Sequence, residues 1–164
     1  MNHFKQVNTP IGNLTIVANE HAITHLFLTE EGFHEFLENE SSMDDSESEL
    51  LTQADIQLQE YFQGKRTTFD LPFEQSGTPF REKVWSVLQN IPYGQSYSYL
   101  DVAEKIGSPK AVRAVGQANK ANKLPIFIPC HRVIGKNKGL TGYAGTQTDV
   151  KAKLLDLEKI LYKN

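Results

Sequence analysis

Leu14, Ile16 and Ala18 alternate with Asn13, Thr15 and Asn19, the pattern of a half-buried strand. Asn19-Glu20-His21 reads as a turn, and Ile23, Leu26 and Leu28 as the strand that returns from it. Leu51, Ala54, Leu58, Tyr61 and Phe62 recur at helical spacing, with Gly64 placed to stop that helix. Thr67 to Leu71 reads as β again, and Glu74-Gln75-Ser76-Gly77 as a linker. The pattern then turns helical. Thr78 can cap a helix that opens on Pro79 and carries Phe80, Val84, Leu88 and Ile91 on one face. Ser98 with Asp101 predicts a capping box for a short helix with Val102, Ala103 and Ile106 inward, closed by Gly107. Ser108-Pro109 is expected to cap a second helix, with Val112, Val115 and Ala118 inward and Lys110, Arg113, Gln117 and Lys120 outward. Two short helices joined this way make a helix-turn-helix candidate.

Composition adds a division of charge. The 164 residues carry a net charge of -3. Residues 1–76 hold 3 Lys/Arg against 14 Asp/Glu, and residues 77–164 hold 14 Lys/Arg against 6 Asp/Glu. The halves therefore stand at -11 and +8, so only the second has the charge of a nucleic-acid binder. Residues 41–48 are acidic and small and are expected to form a mobile loop. The chain has no run of eighteen apolar residues and no secretory-signal pattern at Met1 to Thr9, so a cytoplasmic protein without a membrane partner is expected. The single cysteine, Cys130, can form no internal disulfide and no cysteine-based zinc cage.

The chemistry gathers around that cysteine. Pro125 to Ile134 is an apolar, β-like run that meets Cys130-His131-Arg132. A lone cysteine is more often a small buried hydrophobe than a nucleophile. Here His131 and Arg132 are candidates to favour its thiolate, with a water relaying the proton to His131. In the last helix Lys151, Leu154, Leu155, Glu158, Leu161 and Tyr162 share one side, which sets Glu158 within a leucine stripe. Glu158 either reaches water at the stripe edge or meets an imidazole and orients it, giving a Cys-His-Glu relay. Gly139 to Thr146 is glycine-rich but has neither a phosphate-loop nor a dinucleotide-binding pattern.

Arg113-Ala114-Val115-Gly116, Asn122, Ile128-Pro129-Cys130-His131-Arg132-Val133-Ile134, Gly142-Tyr143-Ala144-Gly145 and Lys151…Leu154-Leu155…Glu158 closely resemble the methylated-DNA–protein-cysteine methyltransferases, the O6-alkylguanine-DNA alkyltransferases. The clear match spans about residues 77–160, and the N-terminal half resembles the family's small variable domain in layout and in its Thr-Pro-Ile-Gly-Asn-Leu start.

The resemblance implies an α/β (α+β) protein. An N-terminal support domain, residues 1–76, would be ribonuclease H-like with an antiparallel sheet and one or two helices. A mostly helical, winged helix-turn-helix-like domain with a short β-hairpin, residues 77–164, would bind DNA and transfer the alkyl group. It further implies that Cys130 takes the alkyl group, that His131 deprotonates it through water, and that Glu158 holds His131 in the required tautomer. Asn122 would support the turn before Cys130, and Tyr99 would give a proton to the leaving guanine. Arg113 would fill the gap left by the extruded base, with Lys120 on the same basic helix face. Tyr143 and the loop through Gly145 would wall the base pocket, with backbone groups near Val133 and Ala144 meeting the guanine. The partner would be double-stranded DNA carrying O6-alkylguanine, entered from the minor groove by a monomer, with no cofactor and no metal.

Lys123 stands where relatives often have proline, and Ala144 where some have a hydroxyl residue. The residues themselves leave two rivals open: a cysteine hydrolase built on Cys130, His131 and Glu158, and a DNA-binding regulator or damage sensor whose cysteine is inert.

Overall fold

In the computed structural model, residues 1–40, 42–45, 48–139 and 148–163 are described, and the chain divides into two units, Met1–Gln75 and Ser76–Asn164. The first unit is a sheet with two helices. Strands β1 (Asn2–Thr9) and β2 (Gly12–Ala18) pair antiparallel, and β3 (Ile23–Phe27) pairs antiparallel with β2. The β1–β2 turn is closed by the Thr9 hydroxyl, which donates to the Gly12 carbonyl at 2.7 Å and accepts from Ile11 N–H at 3.2 Å. The expected turn at residues 19–21 is held by Asn19, whose Oδ1 accepts from the N–H groups of His21 and Ala22 at 2.7 and 2.8 Å.

Helix α1 (Glu30–Glu38) follows β3 and is capped by the Thr29 hydroxyl. Within the acidic stretch expected to be a mobile loop, Met43–Asp44 instead forms a short strand, β4, parallel to β1, giving the sheet order β3-β2-β1-β4. Helix α2 (Glu49–Phe62) ends at Gln63. Gly64 lies at φ +75°, its N–H bonds to the Tyr61 carbonyl, and Lys65 N–H bonds to the Glu60 carbonyl. That pair is a Schellman motif, and it needs the left-handed backbone that glycine adopts without a Cβ clash.

Thr67 to Leu71 forms no strand. The backbone there finds a side chain instead of a neighbouring strand: buried Gln57 donates from Nε2 to the Asp70 carbonyl at 3.1 Å and accepts the Asp70 N–H at 2.8 Å. One amide thus satisfies the two groups that a ladder would have satisfied. The core of this unit is formed by Leu14, Ile16, Val17, Ile23, Leu51, Ala54, Leu58 and Tyr61.

The second unit is mostly helical: α3 (Pro79–Gln89), α4 (Tyr99–Lys105), α5 (Val112–Lys120) and α6 (Thr148–Glu158). Thr78 caps α3 through Arg81 N–H, with Pro79 at the first helical position. Ser98 and Asp101 form the full capping box at α4, their bonds measuring 3.0 and 2.8 Å. The α5 start differs from expectation. Its N-cap is Ala111, with no side-chain cap, and Ser108, Pro109 and Lys110 belong to the turn before it. Val112, the first residue of the helix, is 38% exposed, while Val115 and Ala118 are buried and Arg113, Gln117 and Lys120 are exposed. Trp85 ties α3 to α5 by donating its indole N–H to the Ala118 carbonyl at 2.9 Å.

A β-hairpin is not found among the described residues of this unit. Two-residue strands β5 (Tyr97–Ser98) and β6 (Val133–Ile134) pair in parallel, with α4 and α5 on the connection between them. Helix α6 ends at Glu158, so Leu161 falls beyond the helix and is 85% exposed, while Lys151, Leu154, Leu155 and Glu158 are buried. Among the described residues, no helix is long and apolar enough to cross a membrane.

Candidate active site

The segment leading to Cys130 is a chain of tight turns in place of the expected extended run. Phe127 N–H bonds to the Pro125 carbonyl, Ile128 N–H to the Leu124 carbonyl and Cys130 N–H to the Ile128 carbonyl, each at 2.8 Å. Within it Ile126 adopts φ +73°, a conformation that costs a β-branched residue on the order of 1–3 kcal/mol and persists only where the surroundings enforce it. Asn122 supplies that enforcement. Its Nδ2 donates to the Ile128 carbonyl at 2.8 Å and its Oδ1 accepts Leu124 N–H at 3.1 Å, clasping both ends of the strained turn. Asn119, one helical turn earlier, donates to the Cys130 carbonyl at 3.4 Å. Sequence reasoning passed over Asn119; its three-residue spacing from Asn122 is the signal available.

Cys130, His131 and Arg132 form one 3-10 turn, closed by Val133 N–H on the Cys130 carbonyl, and Cys130 is 1% exposed. Successive side chains on such a turn diverge by about 120°, so His131 and Arg132 leave the sulfur in different directions. Both reach Glu158. His131 Nε2 lies 2.6 Å from Oε2, Arg132 Nε donates to Oε1 at 2.7 Å, and Arg132 Nη2 donates to Oε2 at 3.1 Å. Gly94 N–H adds a bond to Oε1 at 3.3 Å. Arg132 Nη1 donates to the Ile91 carbonyl at 2.7 Å, and its guanidinium lies over the Tyr93 ring. The expected part of Arg132 in favouring the thiolate is therefore replaced by a fork-to-fork pairing with Glu158.

Burial works to raise the Glu158 carboxyl, yet the bonds from His131 and Arg132 prevail and hold it at about 2. Glu158 is thus ionised at neutral pH and can only accept. The Nε2 of His131 must then carry the ring proton, leaving the basic lone pair on Nδ1. Burial depresses the imidazole below its ordinary value, partly offset by the Glu158 hydrogen bond. The ring is therefore neutral at pH 7, the state a proton acceptor needs. Glu158 does not reach water at a stripe edge; its side chain is wholly buried.

Lys151, seven residues before Glu158 on the same face of α6, is also buried and donates from Nζ to the Val133 carbonyl at 2.6 Å. Burial lowers its ammonium to about 8, and the nearby Cys130 acts in the opposite direction. Sequence reasoning placed Lys151 on this face without giving it a part.

Tyr99 opens α4, half-buried, and its ring runs beside Gly116 of α5, where a Cβ would stand 3.9 Å from Cε1. Arg113 lies in the first turn of α5 and Lys120 in its last, both exposed. Val133 is buried in β6, with its N–H engaged by Cys130 and its carbonyl by Lys151. Tyr143, Ala144 and Gly145 lie outside the described residues. Among the described residues, no group of His, Cys, Asp and Glu could hold a metal ion.

The arrangement is a buried cysteine followed, on the same 3-10 turn, by a neutral imidazole whose tautomer is fixed by a buried carboxylate. The exposed helix α5, carrying cations, lies in the same unit. Comparison with known proteins adds to this geometry. Residues 79–160 match the model of the 6-O-methylguanine DNA methyltransferase DNA binding domain, and residues 3–75 that of its ribonuclease-like domain. The chain is 56% identical over 163 residues to the methylated-DNA–protein-cysteine methyltransferase, constitutive, of Bacillus subtilis (strain 168), covering 99% of each. It is 40% identical to the methylated-DNA–protein-cysteine methyltransferase of Mycobacterium bovis, covering 97% of this chain and 93% of the other. The crystal structure of Mycobacterium tuberculosis OGT in complex with DNA superposes with a TM-score of 0.82 at 39% identity, over 96% of this chain and 92% of that one.

Proposed function

Because the chain belongs to the methylated-DNA–protein-cysteine methyltransferase family, we infer that it repairs DNA directly, moving an alkyl group from a damaged base onto its own Cys130. The observation that carries this reading is the 2.6 Å contact between His131 and the buried carboxylate of Glu158, on the residue next to the chain's only cysteine.

The substrate is O6-alkylguanine in duplex DNA, with O4-alkylthymine as a second. O6 lies inside a stacked base pair, where no protein-bound sulfur can approach the alkyl carbon in line, so the nucleotide is first turned out of the helix at a cost of a few kcal/mol. Arg113 fills the space it leaves, and Lys120 meets phosphate. Helix α5 enters the minor groove, whose degenerate pattern suits a search that must ignore sequence. Tyr143, Ala144 and Gly145, with Val133, wall the base.

His131 takes the thiol proton through a water. The thiolate forms a bond to the alkyl carbon while the carbon–O6 bond breaks, and its electron pair stays with guanine, which takes a proton from Tyr99. Thiolate suits attack at saturated carbon, and protonation improves a poor leaving group. The product is a thioether, and no second cysteine exists to displace it, so each molecule acts once. Asn122 keeps the turn before Cys130 in place. The residues 1–76 support this domain. The protein works as a monomer in the cytoplasm, without cofactor or metal.

Intact mass measurement after incubation with duplex DNA containing O6-methylguanine tests the reading. A gain of one methyl group per protein, on the peptide holding Cys130 and absent in Cys130→Ala, is expected. An unchanged mass together with steady turnover of an ester or amide would replace it with the hydrolase.

A further inference from the structure

Asn119 sits in the last turn of α5 and is 2% exposed. Its Nδ2 donates to the Cys130 carbonyl at 3.4 Å. Its Oδ1 is buried and, among the described residues, has no hydrogen-bond partner within the protein. Turning the amide over brings no relief, because Oδ1 would then meet the Cys130 carbonyl, acceptor against acceptor. A buried acceptor without a donor destabilises a fold, whereas an apolar side chain of similar size at the same place carries no such penalty. The Cys130 carbonyl does not rely on this amide to be satisfied, since Val133 N–H donates to it as well. Stability therefore does not account for an asparagine here. What the amide does is tie two elements together. Two backbone bonds of Cys130 are local: its N–H bonds to the Ile128 carbonyl at 2.8 Å, and its carbonyl takes the Val133 N–H. They set the shape of the turn but not its place. Asn119 reaches the same peptide from α5, 11 residues away in sequence. The end of α5 is itself fixed, because Trp85 of α3 donates to the carbonyl of the preceding residue, Ala118, at 2.9 Å. Asn122 clasps the segment upstream, at Leu124 and Ile128; Asn119 takes hold at the cysteine.

We propose that Asn119 is a positioning residue for alkyl transfer: its amide fixes the peptide of Cys130 against α5, and the fold carries an unpartnered buried oxygen to keep that hold. The proposal rests on the alkyl-transfer reading for its purpose, while the bond from amide to carbonyl is a property of the free protein. Attack at a saturated carbon must be in line, so the rate depends steeply on where the sulfur stands. A misplacement of about 1 Å costs about a hundredfold. Locally unfavourable features persist where they hold reacting groups in place, and replacing them raises stability while activity falls. The asparagine at residue 119 has both marks: a buried oxygen without a donor, and a bond to the residue that carries the sulfur.

The test uses the full chain with carbon-13 at the cysteine carbonyl, a label that the single cysteine makes unique. In Asn119→Leu the carbonyl resonance is expected to shift as it loses a donor, and the protein to melt at or above the wild-type temperature. Single-turnover methyl transfer from duplex DNA containing O6-methylguanine, at saturating DNA, falls about tenfold to a hundredfold, while the DNA concentration that gives half the maximal rate is unchanged. An asparagine kept for structure alone would lower melting and leave the maximal rate of the folded variant as it was. An unshifted carbonyl, or an unchanged maximal rate, overturns the proposal. Asn119→Met, whose pliant side chain adapts to the site, is measured beside it. Melting below wild type in both variants, or failure of both to fold, overturns the proposal too, because the amide would then be there for stability. A shifted carbonyl with no methyl transfer by the wild type would sustain the hold on Cys130 and overturn the repair reading.

Discussion

Replacing Glu158 by Gln keeps its shape and removes its charge. The carboxylate receives His131 at 2.6 Å, Arg132 at 2.7 and 3.1 Å, and Gly94 N–H at 3.3 Å. An amide offers one oxygen and one NH2 group. If the NH2 faces Arg132, donor meets donor. If it faces His131, Nε2 must become an acceptor, the ring proton moves to Nδ1, and the basic lone pair that should serve Cys130 is lost. Arg132 in either case becomes a buried charge without its anion. Breaking a buried pair from one side costs about 3–5 kcal/mol, and the amide oxygen recovers part of that. A net loss of about 3 kcal/mol lowers the melting temperature by roughly 10 °C for a protein of this size. The rate of methyl transfer falls at least about a hundredfold, the usual worth of a general base. Thermal unfolding and single-turnover transfer at pH 7 read the two effects. Adding Arg132→Met to Glu158→Gln should restore much of the stability, because the stranded charge is gone, while transfer stays low. Glu158→Gln that melts within about 1 kcal/mol of wild type and transfers at a similar rate would refute the account of the tautomer and of the clamp together.

Asn122→Ala removes both bonds that clasp the Ile126 turn, and each buried group left without a partner costs about 1–3 kcal/mol. Denaturant unfolding should show a loss of about 2–4 kcal/mol, with slower transfer as the segment holding Cys130 relaxes; unchanged unfolding would mean the turn holds itself. Acid should weaken the protein in two stages. His131 is depressed by burial, so below its ordinary value near 6.5 the unfolded chain takes up a proton that the folded one resists. Glu158 is held at about 2 against an ordinary 4.5, so its contribution, complete above that ordinary value, is lost as pH falls toward 2. In urea titrations from pH 7 to 3, Glu158→Gln should flatten the lower stage; an equal slope in variant and wild type would contradict it.

The features legible in the amino-acid order are those whose partners lie within a turn or two of each other. Thr78 before Pro79, Ser98 before Asp101 and Gly64 after a helical stripe are caps whose donors and acceptors are three to five residues apart, so no distant contact can rearrange them cheaply. The Cys130-His131-Arg132 triplet, the basic face of α5 and the segregation of charge between halves were readable for the same reason. Strand β1 and helix α1 carry local patterns too, but too mixed to stand out without the neighbours against which they pack.

Other decisions were made only when the chain closed on itself. Glu158 could have faced water; packing α6 against the 3-10 turn brought it to His131, 27 residues away in sequence, and to Arg132. Arg132 could have faced the sulfur; the packing of α6 against its turn paired it with Glu158 instead. Gln57 could have been one more polar position on α2, and it took the bonds of a missing strand. A charged or amide group in an apolar setting has several possible partners and a steep cost if it finds none. The partner it obtains is set by which surfaces meet, and that information is spread over the whole chain rather than held in any window of it.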